Sequence, residues 1–389
     1  MSAAAQRRRV LLVEEGGVGG VADYSAELAA ALARGGWEVA LATARDHQYP
    51  PAPGVTVHRL FPYVRGRGAL GRRVRALGLS KAVNGATHLA ATAPLLALAR
   101  ASDVVHVQGG EFPPLGAAQA LAVRALRTPL VWTPHNTFER GRHAHARANA
   151  TIRRCAARIV VHSQYDRGML PAADQAKTAV IAHGEYGGLA RRGGPLADGA
   201  AARAWLGLPA DATVALLFGQ LRADKGVRDL LEAALELPEL RVVLAGKDLG
   251  VLAEVADLRA DPRLRERLLV REGFVPAEEA NRLFAAADVA VLPYQRASAS
   301  GVLLLAYGNA RPVVAYPVGG LPEYVEDGTT GWLCASATPA ALAETLRAVA
   351  ASSPDELRAR GEAAQRLSAE RFGWDAIAAE TGALYDAVR

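Results

Sequence analysis

Short, almost unbroken apolar runs recur along this chain, and each is followed by a longer stretch with helical spacing. Val10–Val13, Glu38–Ala42, Val55–Leu60, Val104–Val107, Leu130–Thr133, Ile159–His162 and Ala179–Ala182 read as strands. They show little alternation of polar with apolar residues, so both faces of each strand are expected to be covered. Helical stretches lie between them, such as Val21–Arg34 with Leu28 and Leu32 four residues apart. This rhythm predicts βαβ units and a parallel sheet. A segment rich in Gly and charge, from Gly184 to Gly199, interrupts the series and reads as a linker. A second series then begins. Its strands are Thr213–Phe218, Arg241–Ala245, Leu268–Val270, Val289–Leu292 and Pro312–Ala315. Its helices include Val227–Leu237, Ala277–Ala287, Gly301–Gly308 and Pro339–Ala351, and Trp374–Val388 reads as a separate terminal helix. The expectation is an α/β chain of two Rossmann-like domains facing each other across a cleft, with residues 1–190 in the first and 191–373 in the second.

Composition agrees and removes several classes. A length of 389 residues suits two domains that each bury a core. With 51% hydrophobic residues the chain is not disordered as a whole. Two cysteines, Cys155 and Cys334, exclude a disulfide scaffold and a four-cysteine zinc site. Arg7–Arg9 precede only a short apolar run before Glu14, and the run Leu89–Ala99 contains Pro94, so a cytoplasmic protein without a membrane span is expected. The net charge is +6, and only four of the 45 basic residues are lysines. Coding bias explains most of the arginines. The cluster Arg65, Arg67, Arg72, Arg73, Arg75 and Lys81 has two readings: a solvated face, or contact with an acidic or lipid-phosphate acceptor or an anionic membrane. Nucleic acid is not expected, because no interleaved aromatics or binding motif accompany the charge.

Four constellations carry chemistry. Glu14–Val21 reads Glu-Glu-Gly-Gly-Val-Gly-Gly-Val between the first strand and first helix, where glycines let a ligand approach the backbone. Gly17, Gly19 and Ala22 fit a dinucleotide fingerprint, with Asp46 placed for a ribose, but two glutamates would repel a pyrophosphate. Simple strand-to-helix packing is a third reading. Phe218–Gly226 brings Arg222 and Lys225 to a loop before a helix, where two cations and a helix dipole can hold a diphosphate; a solvated charge pair is the alternative. Ser298–Ala315 opens an apolar helix with Ser-Ala-Ser-Gly, Ser300 as its cap, and leads to another glycine loop at Gly319–Glu323. Thr133–Thr137 places His135 at the carboxyl end of a strand, the edge where open α/β sheets bind ligands. There it is either a structural hydrogen-bonder or a contact to a sugar hydroxyl.

Taken in order, these segments resemble glycosyltransferase family 4, the retaining group with the GT-B architecture. The resemblance runs through Asp103–His106, Thr133–Asn136, Val161–Ser163, Phe218–Gly226, Gly273–Pro276, Ala287–Tyr294, Ser300–Leu304, Pro312–Ala315 and Gly319–Glu323, and so covers nearly the whole chain. It implies transfer of a sugar from a UDP- or GDP-sugar to an acceptor hydroxyl, with retention. It also implies that helix 374–389 crosses back to the first domain. Arg222 and Lys225 would bind the diphosphate. Phe274 and Val275 would hold the base. Tyr294, Ser300, Gly301, Val302 and Glu323 would face the donor, and His135 the donor sugar. Gly17, Gly19, Gly20, Asp23 and Tyr24 would line the acceptor side. The acceptor would be a glycan, a lipid-linked molecule or a small molecule, and no cofactor is implied.

The chain departs from the family in two places. Ala297 and Leu305 stand where the family's paired glutamates are usual, and Gln220 stands where an arginine is usual, with Arg222 as a substitute. A departing diphosphate needs its growing charge neutralised. No two aspartates lie two residues apart, so fixed cations and helix N-termini are the expected means, and no metal is expected. A catalytically silent nucleotide-sugar-binding relative is the second reading, motivated by Ala297 and Leu305. A nicotinamide-dependent oxidoreductase is the third.

Overall fold

A computed structural model of the chain describes residues 8–63, 72–74, 76–110, 112–135, 137, 143–186, 194 and 197–389. It forms two units: residues to Ala182 together with Trp374–Arg389, and His183–Gly373. The division falls after Ala182; position 190, the boundary expected from sequence, lies outside the described residues.

The first unit holds a seven-stranded sheet in the order β3-β2-β1-β4-β5-β6-β7. The strands are β1 Arg8–Val13, β2 Trp37–Ala44, β3 Val55–Phe61, β4 Val104–Gln108, β5 Leu130–Thr133, β6 Arg158–Val161 and β7 Thr178–Val180. Neighbours pair in parallel, with Val10 opposite Val39 on one side and Val104 on the other. Side chains alternate across the pleat, so Leu11 and Val13 enter one core and Val10 and Leu12 the other. That is why unbroken apolar runs were required: each strand supplies two cores. On the Leu11 face lie α2 (Ser80–Ala90), α3 (Thr92–Arg100), α4 (Pro113–Ala125) and α5 (His143–Cys155). The Val10 face is covered by α1 (Gly20–Arg34), through Leu28 and Leu32.

The second unit holds six parallel strands in the order β10-β9-β8-β11-β12-β13. These are β8 Thr213–Phe218, β9 Leu240–Gly246, β10 Leu268–Glu272, β11 Val289–Leu292, β12 Val313–Ala315 and β13 Gly331–Leu333. Its principal helices are α6 Val227–Leu235, α7 Ala277–Ala286, α8 Gly301–Gly308, α9 Pro339–Ala351 and α10 Pro354–Arg371. In α8 every residue from Leu303 to Tyr307 is buried, as expected of an evenly apolar helix. Two of the elements named here had no counterpart in the sequence reading, and neither did the shorter helix Gly199–Leu206. Strand β13 has three residues, and a Cβ on its Gly331 would come within 2.3 Å of the Val313 carbonyl oxygen. Helix α10 is largely polar, yet it opens with a reciprocal capping box between Ser353 and Glu356.

The terminal helix α11, Trp374–Asp386, belongs to the first unit and packs on α1, as the resemblance implied. It buries Trp374, Ile377 and Tyr385 in the Val10 core, which stabilises by roughly 1.5–3 kcal/mol for each large side chain. Gly382 permits the approach, because a Cβ there would stand 2.9 Å from Trp37 Nε1. The Arg34–Asp375 and Arg8–Asp386 pairs beside it are partly exposed and add little.

Residues 82–100, spanning α2 and α3, form a described stretch long and apolar enough to cross a membrane. It breaks at Ala91, and its Leu95 and Ala99 are packed in the Leu11 core. Of the basic cluster, Arg72 and Arg73 are exposed, whereas Arg65, Arg67 and Arg75 lie outside the described residues.

Candidate active site

In an open α/β sheet the strand order reverses at one point, and the loops leaving the carboxyl ends there diverge to leave a crevice. In the second unit that point lies between β8 and β11. Arg222 and Lys225 follow β8, and Pro293 and Tyr294 follow β11. The two loops touch closely. Gly226 has φ +68°, and a Cβ on it would lie 1.9 Å from the Pro293 oxygen, so only glycine allows this turn. Lys225 Nζ stands 3.4 Å above the Tyr294 ring. Tyr294 is itself buried, with its hydroxyl pushed up to about 12 by burial, and it hydrogen-bonds Ser300. It therefore acts as the floor under Lys225. Arg222 donates to both oxygens of Asp224, at 2.9 and 3.0 Å, and to Gln220 at 3.4 Å. Its guanidinium is thereby held in one orientation.

The first turn of α8 adjoins this loop. Ser300 caps the helix by accepting from Leu303 N, at 3.3 Å. A Cβ on Gly219 would meet Val302 Cγ2 at 3.3 Å. Across Gly301 lies Tyr186, whose ring a Cβ on Gly301 would approach to 2.9 Å. Tyr186 stacks on His183, and His183 N donates to the Tyr324 hydroxyl at 2.9 Å. Tyr186 was missed from sequence; it sits in the stretch read only as linker, and nothing local marks it. Gly319 would place a Cβ 1.7 Å from the Ala297 oxygen, so the β12 loop folds tightly onto the segment before α8. Glu323 follows on that loop and is half-buried. Phe274, after β10, is 85% exposed, and Val275 beside it is half-buried. Ala297 and Leu305, the positions of the missing carboxylates, are both buried, as apolar side chains should be.

In the first unit the reversal lies between β1 and β4. The glycine loop after β1 holds its own anion. Glu14, buried, accepts from Gly16 N at 2.7 Å, from Gly17 N at 2.7 and 3.0 Å, and from the Thr43 hydroxyl at 2.9 Å. A pyrophosphate would need those same N–H groups, which removes the physical basis of the nicotinamide reading. Gly17 is buried against Ala44, so it is a packing glycine and offers no surface to an acceptor. Gly19 and Gly20 are exposed, and a Cβ on Gly19 would meet nothing within 4 Å. Asp23 lies half-buried in the first turn of α1, its N–H donating to the Gly19 oxygen.

His135 has φ +55°, a strained conformation for a residue with a Cβ, and is half-buried. Its Nε2 lies 2.9 Å from Gln108 Oε1, and its Nδ1 lies 3.4 Å from His162 Nε2. His162 Nδ1 donates to the Ile181 oxygen at 3.0 Å, which leaves Nε2 as the acceptor facing His135. Burial lowers His162 to about 4 and, behind it, His106 to about 3, so both rings are neutral near pH 7. Tyr24 was expected on the acceptor side. It is 1% exposed and packs edge-on against His135 and Trp374, so it supports the histidine from behind rather than presenting a surface. Among the described residues, no group of three or more His, Cys, Asp or Glu is arranged to hold a metal ion.

Two family descriptions match the chain: "Glycosyltransferase Family 4" over residues 18–184 and "Glycosyl transferases group 1" over 212–352. A D-inositol 3-phosphate glycosyltransferase of Streptomyces scabiei is 37% identical over 61% of this chain and 55% of that protein. One from Mycobacterium leprae is 35% identical over 46% of this chain and 42% of that protein. The chain thus spans about half the length of the curated relatives it matches. Among solved structures, Anabaena HepE in complex with UDP and glucose superposes with a TM-score of 0.74 at 20% identity, covering 98% of this chain and 100% of that one. The catalytic domain of Arabidopsis starch synthase IV, bound to ADP and acarbose, gives 0.75 at 16% identity, covering 99% of each. These likenesses carry the two-domain GT-B fold.

Proposed function

The chain belongs to glycosyltransferase family 4, and on that premise we propose that it transfers a sugar from a UDP- or GDP-sugar to an acceptor hydroxyl, with retention and without a metal ion. The observation that carries this reading is the meeting of Arg222, Lys225 and the first turn of α8 where the second sheet reverses its strand order. In the reaction the bond from the anomeric carbon to the phosphate oxygen breaks, and its electron pair leaves with the diphosphate. The acceptor oxygen bonds the same face of that carbon, and its proton passes to the departing phosphate oxygen. Arg222 and Lys225 neutralise the charge growing there, and the free N–H groups of the α8 turn add to them. Asp224 keeps Arg222 aimed, and Tyr294 keeps Lys225 from collapsing into solvent. Phe274 offers an exposed ring to the base. His135 meets the donor sugar by exchanging its Nε2 contact to Gln108 for a sugar hydroxyl, while its Nδ1 contact to His162 keeps the ring oriented.

A panel of UDP-, GDP- and dTDP-sugars, assayed for transfer and for donor hydrolysis with and without EDTA, tests this. Turnover unaffected by EDTA is expected. Loss of turnover that magnesium or manganese restores would overturn the metal-free reading. Donor binding with neither transfer nor hydrolysis would favour the silent relative. A cytoplasmic enzyme touching an anionic membrane is part of the same proposal, resting on exposed Arg72, Arg73, Leu77 and Leu79. Equal co-sedimentation with neutral and anionic liposomes would remove that part.

A further inference from the structure

The donor loops of the second unit leave the carboxyl ends of its strands. At the opposite edge, where the chain enters β11 and β12, there is a cavity of about 400 Å³ that the transfer chemistry leaves unused. Its described walls are the end of α7, the residues leading into β11 and β12, and the first turns of α10. All of them belong to the second unit. These walls are locked together. A Cβ on Gly361 would come within 2.0 Å of the Ala310 oxygen, so glycine lets α10 lie directly on the loop between α8 and β12. Gln365 Nε2 donates to the Gly308 oxygen at 3.2 Å and ties α10 to the end of α8. Ala310 itself is held at φ +51°.

Two arginines stand near Asp288 at this edge, and they are satisfied very differently. Arg203 donates through all three guanidinium nitrogens: Nε to the Ala286 oxygen at 3.1 Å, Nη1 to the Ala210 and Ala212 oxygens at 2.6 and 3.1 Å, and Nη2 to both Asp288 oxygens at 2.8 Å. Asp288 also accepts from Val214 N at 2.8 Å. Arg311 lines the cavity and is half-buried. Among the described residues its guanidinium makes one hydrogen bond, from Nη2 to the Ala285 oxygen at 3.1 Å. Its Nε is fully enclosed and has no hydrogen-bond partner. Burial lowers its pKa, Asp288 raises it and Arg203 lowers it. The carboxylate beside Arg311 is thus already committed to Arg203. A partly desolvated cation with unused donors is costly, and an oxyanion within reach offsets that cost. The rim adds little: Arg358 pairs with Asp355 at 3.0 Å and with Glu362 at 3.9 Å, and all three are exposed. Buried Asn309 spends its amide N–H on the Leu305 oxygen, at 2.9 Å. The rest of the described lining is apolar: Ala197, Ala285, Ala310, Pro354 and Leu357. One uncommitted guanidinium among apolar walls balances one negative charge on an organic body. A dianion would carry a second charge toward Asp288 and Glu362.

We propose that this cavity is an effector site for a small organic monocarboxylate held by the Arg311 guanidinium, and that its occupancy is felt at the donor turn through α8. That helix has eight residues and so is about 12 Å long. Ser300 caps its donor end, and the cavity-lining residues Asn309–Arg311 follow its other end. Arg311 N itself donates to the Ala306 oxygen at 2.9 Å, which fixes the arginine to the last turn. The test uses the full chain and three probes: benzoate, its uncharged isostere benzamide, and inorganic phosphate. Binding is read by calorimetry and ligand-observed NMR in the wild type, in Arg311→Met and in Arg358→Glu. The last is an exposed change at the rim, and it keeps the test decisive if Arg311→Met misfolds. Benzoate is expected to bind the wild type, with benzamide and phosphate about tenfold weaker or more. Arg311→Met should lose benzoate about tenfold or more, and Arg358→Glu about threefold or more. Benzoate binding no better than benzamide, a preference for phosphate, or undiminished binding in the folded variants would each overturn the site. Coupling is read by hydrogen exchange across Gly301–Gly308 and by UDP affinity, each with and without saturating benzoate. Slower exchange in α8 and a shift of about threefold or more in UDP affinity are expected. Unchanged exchange, or UDP affinity indifferent to benzoate, would overturn the effector role. Slower exchange in a chain that binds no nucleotide would keep the coupled site and overturn the donor reading instead.

Discussion

Replacing Glu14 with Ala tests whether this carboxylate braces the glycine loop. The side chain is buried and accepts from two backbone N–H groups and one hydroxyl. Its removal leaves Gly16 N and Gly17 N facing a small void with no acceptor. A buried donor without a partner costs ~1–3 kcal/mol, so the two together cost about 2–6 kcal/mol, with some relief where water enters. Taking ~3 kcal/mol, and ~2–4 °C per kcal/mol for a unit of this size, the first unit should melt roughly 6–12 °C lower. The assay is thermal or urea unfolding of the full chain, followed by the near-ultraviolet signal of the first unit's tryptophans. Glu14→Gln retains an acceptor oxygen but turns an NH2 toward donors, so it should fall between the two. The Ala variant also exposes the helix N-terminus as an anion site, so phosphate should raise its midpoint and leave the wild type unmoved. A midpoint within 1–2 °C of wild type, or equal stabilisation of both proteins by phosphate, would refute the argument.

Three further outcomes follow from the geometry. Lys225→Ala removes one charge-assisted contact of ~1.5–3 kcal/mol, so UDP should bind about 10- to 150-fold more weakly by calorimetry, with unfolding midpoints unchanged; affinity within twofold would remove Lys225 from the donor site. Gly226→Ala forces a Cβ to within 1.9 Å of the Pro293 oxygen at φ +68°, displacing the Arg222–Lys225 turn, and UDP binding should be lost while far-ultraviolet dichroism stays native. His106 and His162 resist protonation when folded, at about 3 and 4 against 6.5. The unfolded chain therefore binds more protons below pH 6.5, and stability falls as pH drops toward 4, by ~1.4 kcal/mol per pH unit for each ring. His106→Gln should flatten that dependence by one ring's share, measured by urea unfolding at pH 7 and 5; an unchanged slope would rule the ring out.

Much of the second unit was legible because its signals are local. Thr213–Phe218, Val289–Leu292, Gly301–Gly308 and Pro339–Ala351 carry their apolar runs and caps within themselves, and the structure places each at the expected residues. Arg222 and Lys225 were legible because loop, glycine and helix follow one another in sequence. Strand β13 and helix α10 were not. The first is a three-residue strand, and the second is polar around most of its surface, so neither has a period to read.

The sequence by itself determined that two parallel sheets would form, since runs apolar on both faces have no other stable arrangement than burial between helix layers. It also placed the two cations after β8. Other matters depended on residues far apart in the chain and were decided only by tertiary structure. Whether the first glycine loop is an anion site depended on where Glu14 turns, and it turns inward because Gly16, Gly17 and Thr43 converge on it. Whether Tyr24 faces a ligand depended on Trp374, some 350 residues later, closing over it. A cavity of about 330 Å³ in the first unit is likewise lined by residues scattered from Val13 through Leu95 and Trp132 to Leu170, and no single segment contains enough of its wall to reveal it.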